Sequence, residues 1–159
     1  MGSTLTVDNI VGATAASKVG IPGHVLQVVQ ATITSQQTTT STSFVDSGLT
    51  ATITPTSSSS KILVTGDFGT GCNNTSGGMI MQLVRGSTSI FYRGDFYSAA
   101  GGGYAVDAFF HLDSPATTSA TTYKIQFKSQ SSSTTVYVNT EYSGSTSPTS
   151  HITLMEIGQ

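Results

Sequence analysis

Three histidines and a few aspartates are the residues of this sequence whose side chains could bind a metal or transfer a proton. His24, His111 and His151 lie far apart along the chain, and no closely spaced histidine pair marks a metal site. A threefold axis could gather three copies of one histidine into such a site. On a strand, His111 and Asp113 would share a face, because side chains alternate between the two faces. We therefore expect no metal and no cofactor, and ordinary surface or interface histidines.

The carboxylates give little support for catalysis. Two carboxylates that flank a bound sugar can hydrolyse a glycosidic bond, but Asp67, Asp95, Asp107 and Asp113 are spread over different predicted strands and loops. The chain has neither the internal repeats of a β-helix tailspike nor the G-x-S-x-G motif of a serine hydrolase. Cys72 has no basic neighbour in sequence and is expected to be an unreactive thiol in a loop. We expect that the protein is not an enzyme, and we assign no catalytic residue.

Aromatic side chains cluster in the segment 91–104, "FYRGDFYSAAGGGY". Aromatic rings beside a few polar groups suit sugar rings and protein interfaces alike. Core packing is the third interpretation, since aromatic residues at consecutive strand positions point to both faces of the sheet. The predicted receptor or intersubunit contact consists of Tyr92, Arg93, Asp95, Phe96, Tyr97 and Tyr104. The tripeptide Arg93-Gly94-Asp95 matches an integrin-type motif, which we attribute to chance.

The composition indicates a folded β protein with few charges. Charged residues make up 9% of the chain, hydrophobic residues 36%, and the formal net charge is −2, while Ser and Thr supply roughly a third of all residues. Thr, Val, Ile, Tyr and Phe suit a pleated sheet, and Thr is well matched to its solvated face. A net charge so near zero gives no argument for a nucleic acid or an anionic membrane as a partner. No apolar run is long enough to span a bilayer.

Strand patterns recur at short spacing from His24 onward. The segments 35–43 and 70–78 are predicted as a polar connection and a loop, and Ser47-Gly48 is expected to form a bulge. Short strands with regular turn signals predict an all-β fold, an antiparallel jelly-roll-like β-sandwich. We predict about nine strands, over residues 25–34, 44–54, 61–69, 79–94 (a hairpin around Gly86-Ser87), 104–113, 122–129, 134–140 and 151–157.

The first 23 residues differ from the rest in composition. We predict an extended N-terminal docking arm over residues 1–23 and a β-sandwich domain over residues 24–159, with a boundary at Pro22-Gly23. A frayed terminus is the alternative interpretation. No signal peptide is evident, and a single cysteine allows no intrachain disulfide, so synthesis in a cytosol is expected. The apolar residues of the arm are too few for a core and are expected to order against another protein: Leu5, Val7, Ile10 and Val11.

Five stretches carry a resemblance that covers nearly the whole chain: "STLTVDNIVGAT", "IPGHVLQVVQ", "FVDSGLTATITPTSSSSKILV", "LDSPATTSATTYKIQFKS" and "ITLMEIG". Together they resemble a group of short phage virion structural or tail-fibre proteins that is familiar from phages of aquatic bacteria. The resemblance implies a jelly-roll β-sandwich, a homotrimer, and an N-terminal arm that attaches to other virion proteins. It implies no catalytic residue.

The expectation from the sequence is a phage virion protein that forms part of a tail fibre as a trimer and contacts a host glycan or protein receptor. A hydroxyl-rich surface avoids the Lys and Glu side chains that would oppose close packing of identical copies. A capsid decoration (cement) protein is the first alternative, and a carbohydrate-binding module is the second. In the first two interpretations the protein resides in the virion and assembles in the host cytoplasm, without nucleic acid and without membrane insertion.

Overall fold

A computed structural model describes residues 23–73, 77–96, 103–140 and 148–159 of the chain, without the side chains of residues 95 and 96. These ranges contain no helix, and hence none that is long and apolar enough to cross a membrane. They form ten strands: β1 Val25–Ile33, β2 Gln37–Thr39, β3 Val45–Ile53, β4 Lys61–Cys72, β5 Met79–Arg85, β6 Thr88–Phe96, β7 Gly103–Asp113, β8 Thr121–Ser129, β9 Val136–Val138 and β10 Ser150–Ile157.

The strands build two antiparallel sheets. In sheet A the long strands follow the order β1-β10-β4-β7, and the short strands β9 and β2 continue the sheet beside the far end of β4. Sheet B has the order β3-β8-β5-β6. Eight long strands, four to each sheet, lie alternately in sheet A and sheet B along the chain, except that β5 and β6 form a hairpin within sheet B, as in a jelly roll. The predicted fold class is therefore confirmed.

The core lies between the two sheets, and alternation of buried and exposed residues builds most of it. In β3, Leu49, Ala51 and Ile53 are buried, while Thr50 and Thr52 between them are exposed. The same period of two brings inward-facing residues of β4, β8 and β10 into the core, among them Ile62, Val64, Ile125, Phe127, Ile152 and Leu154. Each large apolar side chain that is buried in this way stabilises the fold by roughly 1.5–3 kcal/mol.

The predicted bulge in β3 is confirmed. The pairing of β3 with β8 shifts register between Asp46 and Thr50, and Gly48 lies in the left-handed region at φ +86°. Glycine adopts this backbone conformation without the steric cost that a Cβ would impose. The hairpin around Gly86-Ser87 is also confirmed, since β5 ends at Arg85 and β6 begins at Thr88.

Two local predictions were wrong. The polar connection 35–43 contains the strand β2, and β4 continues to Cys72, where a loop was predicted. Cys72 is fully buried in the core. In both places the partner strands decide the structure: β2 pairs with β9, and the end of β4 pairs with β7 on one side and β9 on the other. Glycine has weak strand propensity, and pairing on both sides overrides it at the end of β4, whereas the two threonines of β2 suit a strand.

Candidate interaction surface

The outer face of sheet B is a connected polar surface. The Asp46 carboxylate accepts hydrogen bonds from Lys124 Nζ (3.1 Å) and Gln126 Nε2 (2.6 Å). Gln126 Oε1 in turn accepts a hydrogen bond from Gln82 Nε2 at 2.7 Å, which extends the chain of bonds across three strands. These polar groups satisfy one another, and Tyr92 is the exposed large aromatic side chain of this face.

The outer face of sheet A differs, because a row of apolar side chains crosses it. The register places Leu112 of β7 beside Leu63 of β4, Leu63 beside Met155 of β10, and Met155 beside Val28 of β1. We call these four residues the apolar band. Their immediate neighbours Ile62, Val64 and Leu154 are buried, so alternation directs the band to the outside of the sandwich.

Strand β7 adds further apolar surface to this face. Val106 and Phe110 are 77% and 79% exposed, and Leu112 is 52% exposed. Contiguous exposed apolar surface of this kind marks interaction sites on soluble proteins. The outer face of sheet A is therefore the surface of the described structure that is best suited to contact another molecule.

Next to the apolar band lies a depression of about 500 Å³. It is lined by both polar and apolar groups, including Gln30, Thr65, Asp67, Ala108, Phe110 and His151. His151 Nδ1 lies 3.3 Å from Asp67 Oδ1, and both side chains are partly exposed. Gln30 Nε2 donates a hydrogen bond to Thr153 Oγ1 at 3.0 Å. The depression therefore combines an exposed aromatic ring with a carboxylate, an imidazole and hydroxyl groups.

The aromatic residues that were predicted as one contact cluster lie on different faces. Tyr92 is 57% exposed on the outer face of sheet B, where its ring packs edge-on against Phe44 at 6.4 Å between centroids. Tyr104 is 40% exposed and belongs to β7, on the outer face of sheet A. Phe91 points inward and stacks on Phe109. Strands β6 and β7 belong to opposite sheets, which separates residues that are close in sequence.

Arg93 joins the two sheets at the flank formed by β6 and β7. Its guanidinium lies 3.1 Å from Asp107 Oδ1 and donates a hydrogen bond to the Ala108 carbonyl at 2.6 Å. The arginine of the Arg-Gly-Asp tripeptide is thus engaged within the domain. The backbones of Asp95 and Phe96 form the end of β6, and the structure does not describe their side chains. Tyr97 and the four arm residues Leu5, Val7, Ile10 and Val11 also lie outside the described residues.

His111 and His151 occupy different places in the fold. His111 packs beside Phe91 at 5.7 Å between ring centroids, whereas His151 lies in the depression. Among the described residues, no three His, Cys, Asp or Glu side chains lie close enough to hold a metal ion. Asp113 forms a salt bridge with Arg85 (2.8 Å) and accepts a hydrogen bond from Tyr123 Oη (2.7 Å). Burial, together with this hydrogen bond, raises the pKa of Tyr123, which stays protonated.

Analysis of the sequence missed the apolar band and the depression. One signal was present in β7, "GYAVDAFFHLD", where apolar residues occupy both alternating sets of positions instead of one. The remaining residues of both sites come from β1, β4 and β10, and register alone brings them together. No motif in the sequence encodes that register.

No protein-family model matches the chain, and no curated protein matches it in sequence. Among solved structures, a crystal structure of dimeric latent PorU from Porphyromonas gingivalis is similar over 94% of this chain, at 9% identity and a TM-score of 0.51. A structure of infectious bursal disease virus, Gx strain, is similar over 100% of this chain, at 13% identity and a TM-score of 0.43. The chain spans 14% and 42% of the lengths of those two chains. At such identities the first likeness concerns the β-sandwich fold alone, and we draw no conclusion from the second.

Proposed function

We propose that the chain is a structural subunit of a virion that forms part of a phage tail fibre as a homotrimer. The observation that supports this proposal most is the contrast between the two outer faces. Sheet B presents mainly hydrogen-bonded polar groups to water, with Tyr92 as an exposed ring, whereas sheet A presents the apolar band. Burying such side chains against a partner stabilises an assembly by roughly 25 cal/mol per Å² of apolar surface.

A second copy of this chain is the proposed occupant of the apolar band, for reasons of charge and position. Identical copies carry identical charges, so a face that is used for self-association should carry little net charge. The outer face of sheet A has Lys61 at one end and otherwise Asp67 beside His151. The apolar band crosses the four long strands near one end of this face, whereas the depression with Phe110 lies beside the band and would stay outside the contact between copies.

Closure into a trimer would also cover strand edges. Strands β6 and β7 each pair with one neighbour only, and both lie on the same flank of the sandwich. Exposed edges promote uncontrolled association, and a closed ring of subunits removes this liability. In this proposal the protein is structural and not an enzyme, the N-terminal arm attaches the subunit to other virion proteins, and the assembled surface contacts a host receptor.

The oligomeric state tests the proposal. We expect light scattering on the eluting protein to report three times the chain mass of 16.4 kDa. Leu112→Asp, placed at an exposed position of the apolar band, should yield a folded monomer, because a carboxylate is costly to bury at an interface without a partner. Tyr92→Asp is the matched control on sheet B and should remain a trimer. A wild-type monomer at micromolar concentration would overturn the proposal, and dissociation by Tyr92→Asp alone would place the contact in the aromatic segment.

The position in the particle is a separate measurement. Cryo-electron microscopy of the intact virion should place density for this domain at the tail. Density at threefold sites of the capsid would instead support a capsid decoration protein, and no density in the particle would contradict both.

A further inference from the structure

We infer that the depression on the outer face of sheet A binds a neutral pyranose saccharide, with Phe110 as the stacking platform. The inference rests on the proposed receptor-contacting role and names the chemical class of the receptor. This site differs from the aromatic segment 91–104, which the sequence indicated as a candidate contact.

Phe110 is the first element of the site. Its ring is 79% exposed, although it belongs to a regular strand with a buried neighbour, Phe109. The cross-strand partner of Phe110 is Thr65, and its neighbour toward the depression on the same face of β7 is Ala108. These smaller side chains leave the ring open toward the depression. The face of a pyranose that carries C–H groups packs well on such a flat apolar surface, which has no other use in the isolated domain.

The polar groups are the second element. Asp67 and His151 are partners in the register of β4 and β10, and Asp67 is also the partner of Ala108. A carboxylate accepts hydrogen bonds from two adjacent sugar hydroxyls, and an imidazole nitrogen or the Gln30 amide can donate to a third. Neighbouring strands lie about 4.8 Å apart and alternate residues about 6.6 Å apart. Asp67 is therefore roughly 8 Å from Phe110 along the face, which is a suitable span for one sugar ring.

The lining also indicates which ligands are unsuited to the site. No Lys or Arg is among the residues that line the depression, so a phosphate or a uronic acid would meet the Asp67 carboxylate without a compensating guanidinium or ammonium. A purely apolar ligand would displace water from Asp67, His151 and Gln30 without offering hydrogen bonds in its place. A neutral polyhydroxylated ring satisfies both halves of the site. Ligand sites commonly combine an apolar wall with a few polar groups that orient the ligand.

The test uses the full chain on an array of immobilised neutral hexose, hexosamine and uronic-acid oligosaccharides, followed by titration calorimetry with the best neutral oligosaccharide. We expect binding to neutral oligosaccharides, at least a tenfold weaker affinity for Phe110→Ala, and weaker binding for Asp67→Asn. Val106→Ala is the matched control, since Val106 is 77% exposed on the same face of the same strand but does not line the depression. It should bind as the wild type does.

Three outcomes would overturn the inference: no neutral oligosaccharide retained at millimolar concentration, equal losses for Val106→Ala and Phe110→Ala, or binding of uronic acids only. Light scattering on the same samples separates this inference from the proposed function. A trimer that binds no sugar removes the saccharide site and leaves the structural role, whereas a monomer that binds sugar through Phe110 removes the trimer and leaves the site. Dissociation of the trimer by Phe110→Ala would assign the ring to the interface between copies and so contradict the saccharide site.

Discussion

At the scale of single residues, Glu156 is the unusual feature of the core. Its side chain is fully buried at the end of β10. Thr56 donates to Oε1 through both its backbone N–H and its hydroxyl, each at 2.7 Å, and Gln27 Nε2 donates to Oε2 at 2.6 Å. The carboxylate thus ties the turn after β3 to the paired strands β1 and β10. Burial raises the pKa of Glu156, but the hydrogen bonds from Gln27 and Thr56 outweigh it, so the pKa lies below the ordinary value of 4.5.

This lowered pKa predicts acid sensitivity. The stabilisation by Glu156 is fully present above pH 4.5 and is lost as the pH falls through the folded-state pKa below that value. Glu156→Gln should reduce the free energy of unfolding at pH 7 by about 1–3 kcal/mol, because its amide nitrogen would face a donor. It should also make the pH dependence below 4.5 shallower. Urea denaturation at pH 3 to 7 measures both effects.

Asp67→Asn is the control for this measurement, since it removes a half-exposed surface carboxylate that lies 3.3 Å from His151. Exposed ion pairs contribute about 0–1 kcal/mol, so this variant should unfold nearly as the wild type does. If Glu156→Gln and the wild type lost stability in parallel below pH 4.5, the acid sensitivity would have to come from other groups.

At the scale of elements, strand β4 forms the centre of sheet A because it pairs along its length on both sides. Gly66 faces inward beneath Phe109, its partner in the register. A Cβ at Gly66 would lie 2.5 Å from Phe109 Cε1 and 2.9 Å from the His151 carbonyl oxygen. The close approach of β4, β7 and β10 at this level therefore requires glycine.

Gly66→Ala should destabilise the domain by about 1–3 kcal/mol, because the buried Phe109 ring and the backbone of β10 must both shift. Gly94→Ala in β6 is the matched control, since a Cβ there has nothing within 4 Å. Thermal unfolding of the two variants should differ by several degrees. Equal melting temperatures would show that the packing around Phe109 relaxes without cost.

At the scale of the whole molecule, backbone hydrogen bonds join the start of β1 to the residue that follows β10. Gly23 N donates to the Gly158 carbonyl at 2.7 Å, and Gly158 N donates to the His24 carbonyl at 2.9 Å. These bonds extend the pairing of β1 with β10 to its end. The core residues in the part of the chain that the structure describes all follow this point.

Deletion of residues 1–22 should therefore leave a domain that unfolds cooperatively, with a melting temperature within a few degrees of the full chain. In the proposed role, the same deletion should abolish incorporation into virions, which immunoblotting of purified particles measures. A truncated chain that fails to fold would show that the first residues contribute to the core, and one that is still incorporated would contradict the docking role.

The sequence by itself determined the strand content and the inward face of most strands. In β3, Leu49, Ala51 and Ile53 alternate with hydroxyl residues. Because successive side chains point to opposite faces, this alternation alone assigns the three apolar residues to the core. The bulge at Gly48 and the turn at Gly86 follow from local backbone chemistry in the same way. Such features are readable because the side-chain period of a strand and the conformational freedom of glycine act within a few residues.

Only the tertiary structure decided which apolar residues remain uncovered. In β7, apolar residues occur on both faces of the strand. The position of sheet B determines that Phe109 is buried while Phe110 faces outward. The pairing of Asp67 with His151 joins positions 84 residues apart in the chain, and the separation of Tyr92 from Tyr104 follows from the assignment of β6 and β7 to different sheets. Register and sheet assignment depend on contacts distant in sequence, and these contacts create both the apolar band and the depression.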